Sequence, residues 1–203
     1  LQAPGRTPGC DDGPCRTGVP CSLRDGGCVY YDSVRRAMRA RLVVSNYAYW
    51  MYQGRYGKGL GDVDLLIADE AHAAHGLVSD FLAVTLEPWE MHRAGAAPLA
   101  GQAAPDQWAQ WAEFHSHALE LRIADLSASI KMAHEAGEVA PASAVRESRE
   151  LQRISSKFSA LKQVGPQWEM HESERTWSFT PVWPADYAEA ALFRGVPKVI
   201  LTS

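Results

Sequence analysis

Short aliphatic runs predict three β-strands in the chain. The segments DLLIAD (64–69) and PKVILTS (197–203) are rich in Leu, Ile and Val, a pattern typical of strands buried on both faces of a parallel sheet. The segment LVVSNYAYW (42–50) begins with β-branched residues and ends in aromatic ones, so we expect it to start as a strand as well.

A helical period dominates the region before the last strand. A long helix is predicted from about Asp106, with Asp106 as its cap, and apolar steps of three and four predict a second helix over 142–164. The two helices would form an antiparallel hairpin. Aromatic and β-branched residues on either side of ESER (172–175) predict a β-hairpin over 167–183. The predicted order of two strands, a helical insertion and a third strand indicates the α/β fold class.

The remaining segments give weaker patterns. Short helices are predicted over 29–40 and 185–195, and the segment 77–88 fits a helix or a strand. Loops are predicted for 97–105 and for the glycine-rich connection 52–62.

The composition is that of a globular protein. Hydrophobic residues make up 46% of the 203 residues and charged residues 22%. A mean hydropathy of −0.24 and the lack of an 18-residue apolar run argue against a membrane span. The sequence starts in a Pro- and Gly-rich loop without Met and stops at a predicted strand, so we expect an internal piece of a longer protein.

Charge is uneven along the chain, whose net charge is −4. Residues 1–60 carry nine Lys and Arg against four Asp and Glu. Arg35, Arg36, Arg39 and Arg41 lie within seven residues of each other. Such a cluster fits either a phosphate-binding face or a solvated helix face.

All four cysteines fall within nineteen residues, as Cys10, Cys15, Cys21 and Cys28. They lie in a Gly- and Pro-rich loop, 1–28, that has no helical or strand periodicity. Such a loop needs a cross-link, such as a bound metal or disulfides, to hold its structure. Four thiolates can hold an iron–sulfur cluster, whose loops tolerate uneven lengths. Structural zinc usually shows C-x2-C pairs, which are absent, and disulfides would suit a secreted domain. The spacing alone leaves all three open.

Two carboxylates follow the aliphatic run at 64–69, in the sequence DEAH. Asp69 and Glu70 would lie at the carboxyl edge of a parallel sheet, where α/β proteins bind ligands. An Asp there can hold Mg²⁺ in nucleotide hydrolases, and an adjacent carboxylate can polarise the attacking water. The alternative is a solvated helix start, with the acids favoured by the helix dipole.

Together these motifs resemble the iron–sulfur DNA helicases of superfamily 2, the XPD/DinG group. DLLIADEAH resembles their Walker B strand and DEAH box. The upstream cysteines, followed by CVYY and RARLVVSNYAYW, resemble their cluster domain returning to the sheet. KVILTS, after ADYAEAALFRGVP, resembles the strand leading into their T-S-A-T motif.

The resemblance implies a function and a set of catalytic roles. The four cysteines would ligate a [4Fe–4S] cluster, Asp69 would serve Mg²⁺, and Glu70 would activate water for ATP hydrolysis. His72, Thr202 and Ser203 would couple hydrolysis to movement on single-stranded DNA, with 5′ to 3′ polarity, and to unwinding of forked duplex DNA. Two further groups would contact DNA: Arg35, Arg36 and Arg39 at phosphates, and Tyr30, Tyr31 and Tyr47 by stacking on bases. Packing in the core explains the tyrosines equally well.

The implied architecture is a partial RecA-like P-loop NTPase motor domain with two additions. The cluster domain would occupy 1–40, the motor 41–80 and 181–203, and an arch-like, mainly α-helical insertion 81–180. A Walker A motif and a second motor domain are missing; GRYGKGL (54–60) lacks the Ser or Thr and is interpreted as a turn. The chain alone is therefore not expected to hydrolyse ATP.

Two other functions remain compatible with the sequence. One is a non-catalytic, metal-stapled module that binds nucleic acid. The other is a zinc-stapled structural protein in which DEAH is accidental. The helicase hypothesis places the protein, with ATP as its substrate and DNA repair among its candidate roles, in the cytoplasm of a bacterial or phage-infected cell.

Overall fold

The computed structural model describes residues 21, 23–57, 59–101 and 103–203, which form helices and two small sheets. The helices are α1 (Val29–Arg39), α2 (Tyr47–Tyr56), α3 (Ala74–Leu82), α4 (Pro88–Ala94), α5 (Pro105–Glu135) and α6 (Ala142–Leu161). The strands are β1 (Leu66–Ala68), β2 (Val84–Leu86), β3 (Trp168–Ser173), β4 (Thr176–Pro181) and β5 (Val199–Leu201). Short 3₁₀ helices span Ala71–Ala73 and Pro184–Tyr187, and a π-helix spans Glu189–Phe193.

The two sheets differ in direction, and together with the helices they confirm a mixed α/β fold. Strands β1 and β5 form a parallel pair, although most of the chain lies between them. Strands β2, β4 and β3 form an antiparallel sheet in that order. The helical hairpin and the antiparallel sheet are both inserted between the two parallel strands.

The described residues bury two separate clusters of apolar side chains. The large core joins α4, α5 and α6 to the antiparallel sheet, through residues that include Trp108, Trp111, Leu119, Leu151, Ile154, Phe158, Leu161, Trp168, Trp177 and Phe179. The small core joins α2, α3 and the π-helix, through Trp50, Met51, Leu60, Val78, Ala191 and Leu192. Leu82 and Tyr187 pack against both cores, so the cores meet where the chain passes between them.

The predicted helical hairpin is confirmed. Helices α5 and α6 pack against each other, and their antiparallel direction follows from two ion pairs, Glu113 with Lys162 at 2.9 Å and Arg122 with Glu147 at 3.3 Å. The start of α5 differs from the prediction: Ala104 is the N-cap, and its N–H donates to Oε1 of Gln107 at 2.8 Å. Pro105 fits the first helical position because its missing N–H needs no partner there.

The predicted β-hairpin is confirmed as β3 and β4, which pair from Trp168–Pro181 to Ser173–Thr176. Glu174 and Arg175 form the turn with φ values of 50° and 70°. Two successive left-handed residues are the geometry of a type I′ turn, which matches the twist of the strands.

The strand predicted for 42–50 is wrong. Residues 42–46 belong to no helix or strand of the described residues, and α2 begins at Tyr47. Asn46 caps this helix, since its side-chain oxygen accepts from the N–H of Tyr49 at 2.7 Å. A β-branched run forms a strand only beside a partner, and Val44, 91% exposed, has no packing on either face. The same helix extends to Tyr56, into part of the predicted glycine-rich connection.

Burial of the parallel strands was also predicted wrongly. Ala68 is buried, but Ile67 is 57% exposed and Leu201 is equally exposed. A strand is buried on both faces only when helices cover the sheet, and the described part of this sheet has two strands. The ambiguous segment 77–88 contains both alternatives, the end of α3 followed by β2.

Candidate active site

The parallel pairing of β1 and β5 places two polar segments side by side. Leu66 pairs with Val199 and Ala68 pairs with Leu201, so the residues that follow, Asp69 and Thr202, leave the sheet at the same edge. The backbone continues the contact beyond the strands. The N–H of Thr202 donates to the carbonyl of Ala68 at 2.9 Å, and the N–H of Ala71 donates to the carbonyl of Thr202 at 2.8 Å.

The five residues predicted as catalytic all lie in this cluster, which we call the strand-end cluster: Asp69, Glu70, His72, Thr202 and Ser203. The Thr202 hydroxyl donates to Oδ1 of Asp69 at 2.7 Å. The His72 Nδ1 atom lies 3.2 Å from the Ser203 hydroxyl and 3.3 Å from Oε2 of Glu70. The cluster therefore joins the DEAH segment to the end of β5 by side chains as well as by the backbone.

The backbone turns sharply at Glu70, which has a φ of 52° and a ψ of 42°. This left-handed conformation is uncommon for a residue with a side chain and costs about 1 kcal/mol or more. The 3₁₀ turn Ala71–Ala73 follows at once and leads into α3. Glu70 is thus held at a bend between strand and helix, with its side chain 68% exposed and able to reach a bound molecule.

Tyr47 supports the cluster from the first turn of α2. Its hydroxyl donates to the backbone carbonyl of Asp69 at 2.8 Å. Desolvation by burial raises the pKa of Tyr47, and the negative charges of Asp69 and Glu70 raise it further, so the hydroxyl keeps its proton as a donor. Tyr47 was predicted as a base-stacking residue. The contact with Asp69 was not, because it depends on how α2 packs in three dimensions.

The other predicted DNA-contacting tyrosines lie on α1, away from the cluster. The side-chain amide of Gln53, which is buried, donates to the Tyr30 hydroxyl at 2.8 Å. Tyr31 packs edge-to-face on Tyr30, with ring centroids 5.2 Å apart, and the Arg24 guanidinium lies over its ring. Tyr30 therefore links α1 to α2, in keeping with the packing role that is the alternative to base stacking.

The arginines of α1 differ in their contacts. The Arg35 guanidinium pairs with Asp32 on the same helix and donates to the carbonyl of Arg24 at 2.7 Å. Arg36 lies 3.4 Å from the Ser33 hydroxyl. No residue of α1 is fully buried, so Arg39 and its neighbours are on a solvated helix. Among the described residues, Arg35 is the one of the three predicted phosphate contacts that forms an ion pair.

Two of the four cysteines lie among the described residues. Cys21 and Cys28 are both free thiols of intermediate exposure, and a turn folds the chain between them. The N–H of Arg24 donates to the carbonyl of Cys21 at 3.0 Å, and the N–H of Cys28 to the carbonyl of Leu23 at 3.1 Å. Cys10 and Cys15 lie outside the described residues. Within the described ranges, no three Cys, His, Asp or Glu side chains come together as a metal site.

Comparison with protein-family models and with curated sequences identifies no relative. No protein-family model matches the chain, and no curated protein matches its sequence. In the described part of the chain, no helix is both long enough and apolar enough to cross a membrane. Any function must therefore be inferred from the strand-end cluster and from the sequence motifs.

Replacement of Thr202 by Val tests whether the contact between the strands stabilises the fold. The change keeps the shape of the side chain and removes the donor to Asp69. We expect the free energy of unfolding in urea to fall by about 0.5–1.5 kcal/mol. Thr202→Ser keeps the hydroxyl, so its free energy of unfolding should fall by less than that of Thr202→Val. An unchanged free energy of unfolding in Thr202→Val would mean that the hydrogen bond to Asp69 does not stabilise this edge.

Proposed function

We propose that the chain is part of an ATP-dependent DNA helicase of the iron–sulfur superfamily 2 group. In this proposal 41–80 and 181–203 contribute to a RecA-like motor domain, and 81–180 form its arch-like insertion. One observation carries the proposal: Thr202 is bonded to Asp69, although the two residues are 133 positions apart in the sequence. Asp69 belongs to the segment that resembles the DEAH box, and Thr202 belongs to the segment that resembles the start of the T-S-A-T motif.

The strand-end cluster has the chemistry that nucleotide hydrolysis requires. Asp69 supplies a carboxylate on an exposed edge, and Glu70 supplies a second one with no hydrogen-bonded partner except His72 among the described residues. A carboxylate in this position can take a proton from an attacking water. His72 contacts both Glu70 and Ser203, so a change at the carboxylate is transmitted to the end of β5.

Asp69 fits the role of a Mg²⁺ ligand. Oδ1 accepts from Thr202, which leaves the second carboxylate oxygen without a partner among the described residues, and carboxylate oxygens are the ligands that Mg²⁺ prefers. The ion would neutralise charge on the phosphates of ATP. The carbonyl bond from Tyr47 and the hydroxyl bond from Thr202 hold this carboxylate in place beforehand.

Cys21 and Cys28 have the donor chemistry of cluster ligands. Both are free and partly exposed, and Cys28 immediately precedes α1, where the helix dipole favours a negatively charged thiolate. A [4Fe–4S] cluster would hold the loop 1–28 against α1. The two separate cores are consistent with an insertion: the large core contains mainly residues of 81–180, and the small core contains residues on either side of that range.

ATP hydrolysis by the longer protein that contains this chain tests the proposal. We expect turnover that rises when single-stranded DNA is added, together with 5′ to 3′ unwinding of a forked duplex. A protein that binds DNA but hydrolyses no ATP would contradict the helicase proposal and favour the non-catalytic, metal-stapled binding module.

Replacement of Cys21 by Ser tests the cluster. The longer protein, purified without oxygen, should contain about four irons per chain and absorb broadly near 400 nm, as thiolate-bound clusters do. We expect Cys21→Ser to lose most of this iron and the unwinding activity while it keeps much of the ATPase, because the cysteines are remote from the phosphates. Equal iron in variant and parent would refute Cys21 as a ligand, and one zinc per chain would refute the cluster.

A further inference from the structure

A pocket of about 180 Å³ lies where the two cores meet, and three cationic side chains line it. Arg55 comes from α2, and Arg153 and Lys157 come from α6. A volume roughly tenfold above the minimum for one water has room for a hydrated phosphate group. None of these three residues belongs to α1, whose cationic and aromatic residues the sequence motifs indicated.

The charges of Arg153 and Lys157 are only partly neutralised. Lys157 Nζ bonds Oε2 of Glu90 at 2.7 Å and the carbonyl of Thr85 at 2.6 Å. Arg153 lies 3.3 Å from Oε1 of the same Glu90, and its side chain is 60% exposed. Glu90 is fully buried and is a single carboxylate shared by two cations. Arg153, Lys157 and Glu90 together therefore keep one positive charge in excess.

Arg55 adds a second positive charge. Its guanidinium lies 5.4 Å from the ring centroid of Tyr56 and 5.7 Å from that of Phe81. Aromatic rings attract the cation without neutralising it, and none of the described carboxylates forms an ion pair with Arg55. With Arg153 and Lys157 opposing a single Glu90, these four side chains carry a formal net charge of +2, on a chain whose net charge is −4.

Exposed aromatic rings border these cations. Tyr52 and Tyr56 are one helical turn apart on α2, are 45% and 53% exposed, and have ring centroids 5.1 Å apart. Trp89, 42% exposed, lies under the Arg153 guanidinium at 5.1 Å. Proteins that hold single-stranded nucleic acid combine cations along the phosphates with aromatic rings on which bases stack.

We propose that this pocket and its two bordering tyrosines bind single-stranded nucleic acid. Phosphate groups contact Arg55 and Arg153, and bases stack on Tyr52 and Tyr56. The inference deepens the proposed function and rests on it for the choice of DNA as the ligand. It assigns a binding surface at the junction of the two cores.

Binding of a fluorescently labelled oligo-dT to the 203-residue chain, measured by anisotropy at several salt concentrations, tests the proposal. Arg153→Gln should weaken binding about three- to tenfold and lower the slope of log K against log salt by about one, the effect of one lost phosphate contact. The control is Lys131→Gln, which removes the same charge from a side chain that is 75% exposed on α5. We expect the control to change binding by less than about twofold, because no phosphate contact is lost there.

A second pair of variants tests the aromatic contribution. Tyr56→Leu should weaken binding about tenfold with little change in the salt slope, because a stacking surface is lost and no charge is removed. Phe114→Leu is the control, since Phe114 is an aromatic side chain 79% exposed on α5. Circular dichroism during thermal unfolding checks that all four variants keep the fold.

The outcomes separate this proposal from the proposed function. Equal affinities for Arg153→Gln and Lys131→Gln would overturn the pocket while leaving the helicase proposal intact. Titration with inorganic phosphate alone distinguishes a small-anion site: phosphate binding that Arg153→Gln abolishes, without oligonucleotide binding, would overturn the nucleic-acid assignment. Failure of the proposed function would appear separately, as absent ATP turnover in the longer protein.

Discussion

In the proposed helicase, replacement of Glu70 by Gln should lower kcat for ATP hydrolysis by about 10²–10⁴-fold, the usual contribution of a positioned general base. Affinity for ATP should change little, because Gln has the same shape and only the proton-accepting charge is lost. The fold should also tolerate the change, since the side chain is 68% exposed and its one described polar contact is His72. Steady-state turnover and nucleotide binding, measured on the same preparation, separate the two effects.

Glu174→Gln is a matched control for this experiment. Glu174 is also a glutamate with a left-handed backbone, at a φ of 50° against 52° for Glu70, but it lies in the turn of the β-hairpin. The same substitution there should leave turnover unchanged. If Glu70→Gln and the parent protein have equal turnover, DEAH is not a catalytic motif in this protein.

Replacement of Lys157 by Met should destabilise the fold strongly. Glu90 is fully buried, and Lys157 forms its shortest ion pair at 2.7 Å. Removal of Lys157 leaves the buried carboxylate of Glu90 with one cationic partner, the 60% exposed Arg153 at 3.3 Å, and breaking a buried ion pair costs about 3–5 kcal/mol. Urea unfolding monitored by tryptophan fluorescence would report the loss, because Trp108 and Trp111 lie in the adjoining large core.

Two further variants show whether the buried charge is the cause. Arg153→Met removes the second cation from Glu90, but that side chain is 60% exposed, so the expected loss is at most about 1 kcal/mol. The double variant Glu90→Gln with Lys157→Met removes both charges and should recover part of the stability. A loss in Lys157→Met no larger than in Arg153→Met would contradict this account of Glu90.

Local periodicity predicted much of the fold. Helices α5 and α6 and the hairpin of β3 and β4 were predicted because their sequence patterns extend over many residues, and each pair contacts mainly within itself. The segment 42–50 was predicted wrongly because its β-branched residues indicate a strand only if a neighbouring strand exists. The burial predicted for β1 and β5 was wrong for a related reason. Burial of a strand depends on the helices that cover the sheet, and the local sequence does not encode them.

The strand-end cluster was foreseen in its residues but not in its contacts. The placement of Asp69 near Thr202 follows from the rule that parallel strands end at one edge. The bond from Tyr47 to the Asp69 carbonyl requires the packing of α2 and could not be read from the sequence. Tyr52 and Tyr56 were missed because 52–62 was interpreted as a glycine-rich connection. In a helix residues four apart lie on one face, so the pair could be recognised only after this segment was known to be helical.

The pairing of β2 with β4 has a consequence for the architecture of the chain. Val84 pairs with Phe179, so the chain enters the large core and leaves it on adjacent antiparallel strands, which are about 5 Å apart. The backbone between those two positions is connected to the rest of the chain through these two adjacent strands. A segment attached in this way can be lengthened, shortened or exchanged during evolution without moving the strand ends on which Asp69 and Thr202 lie.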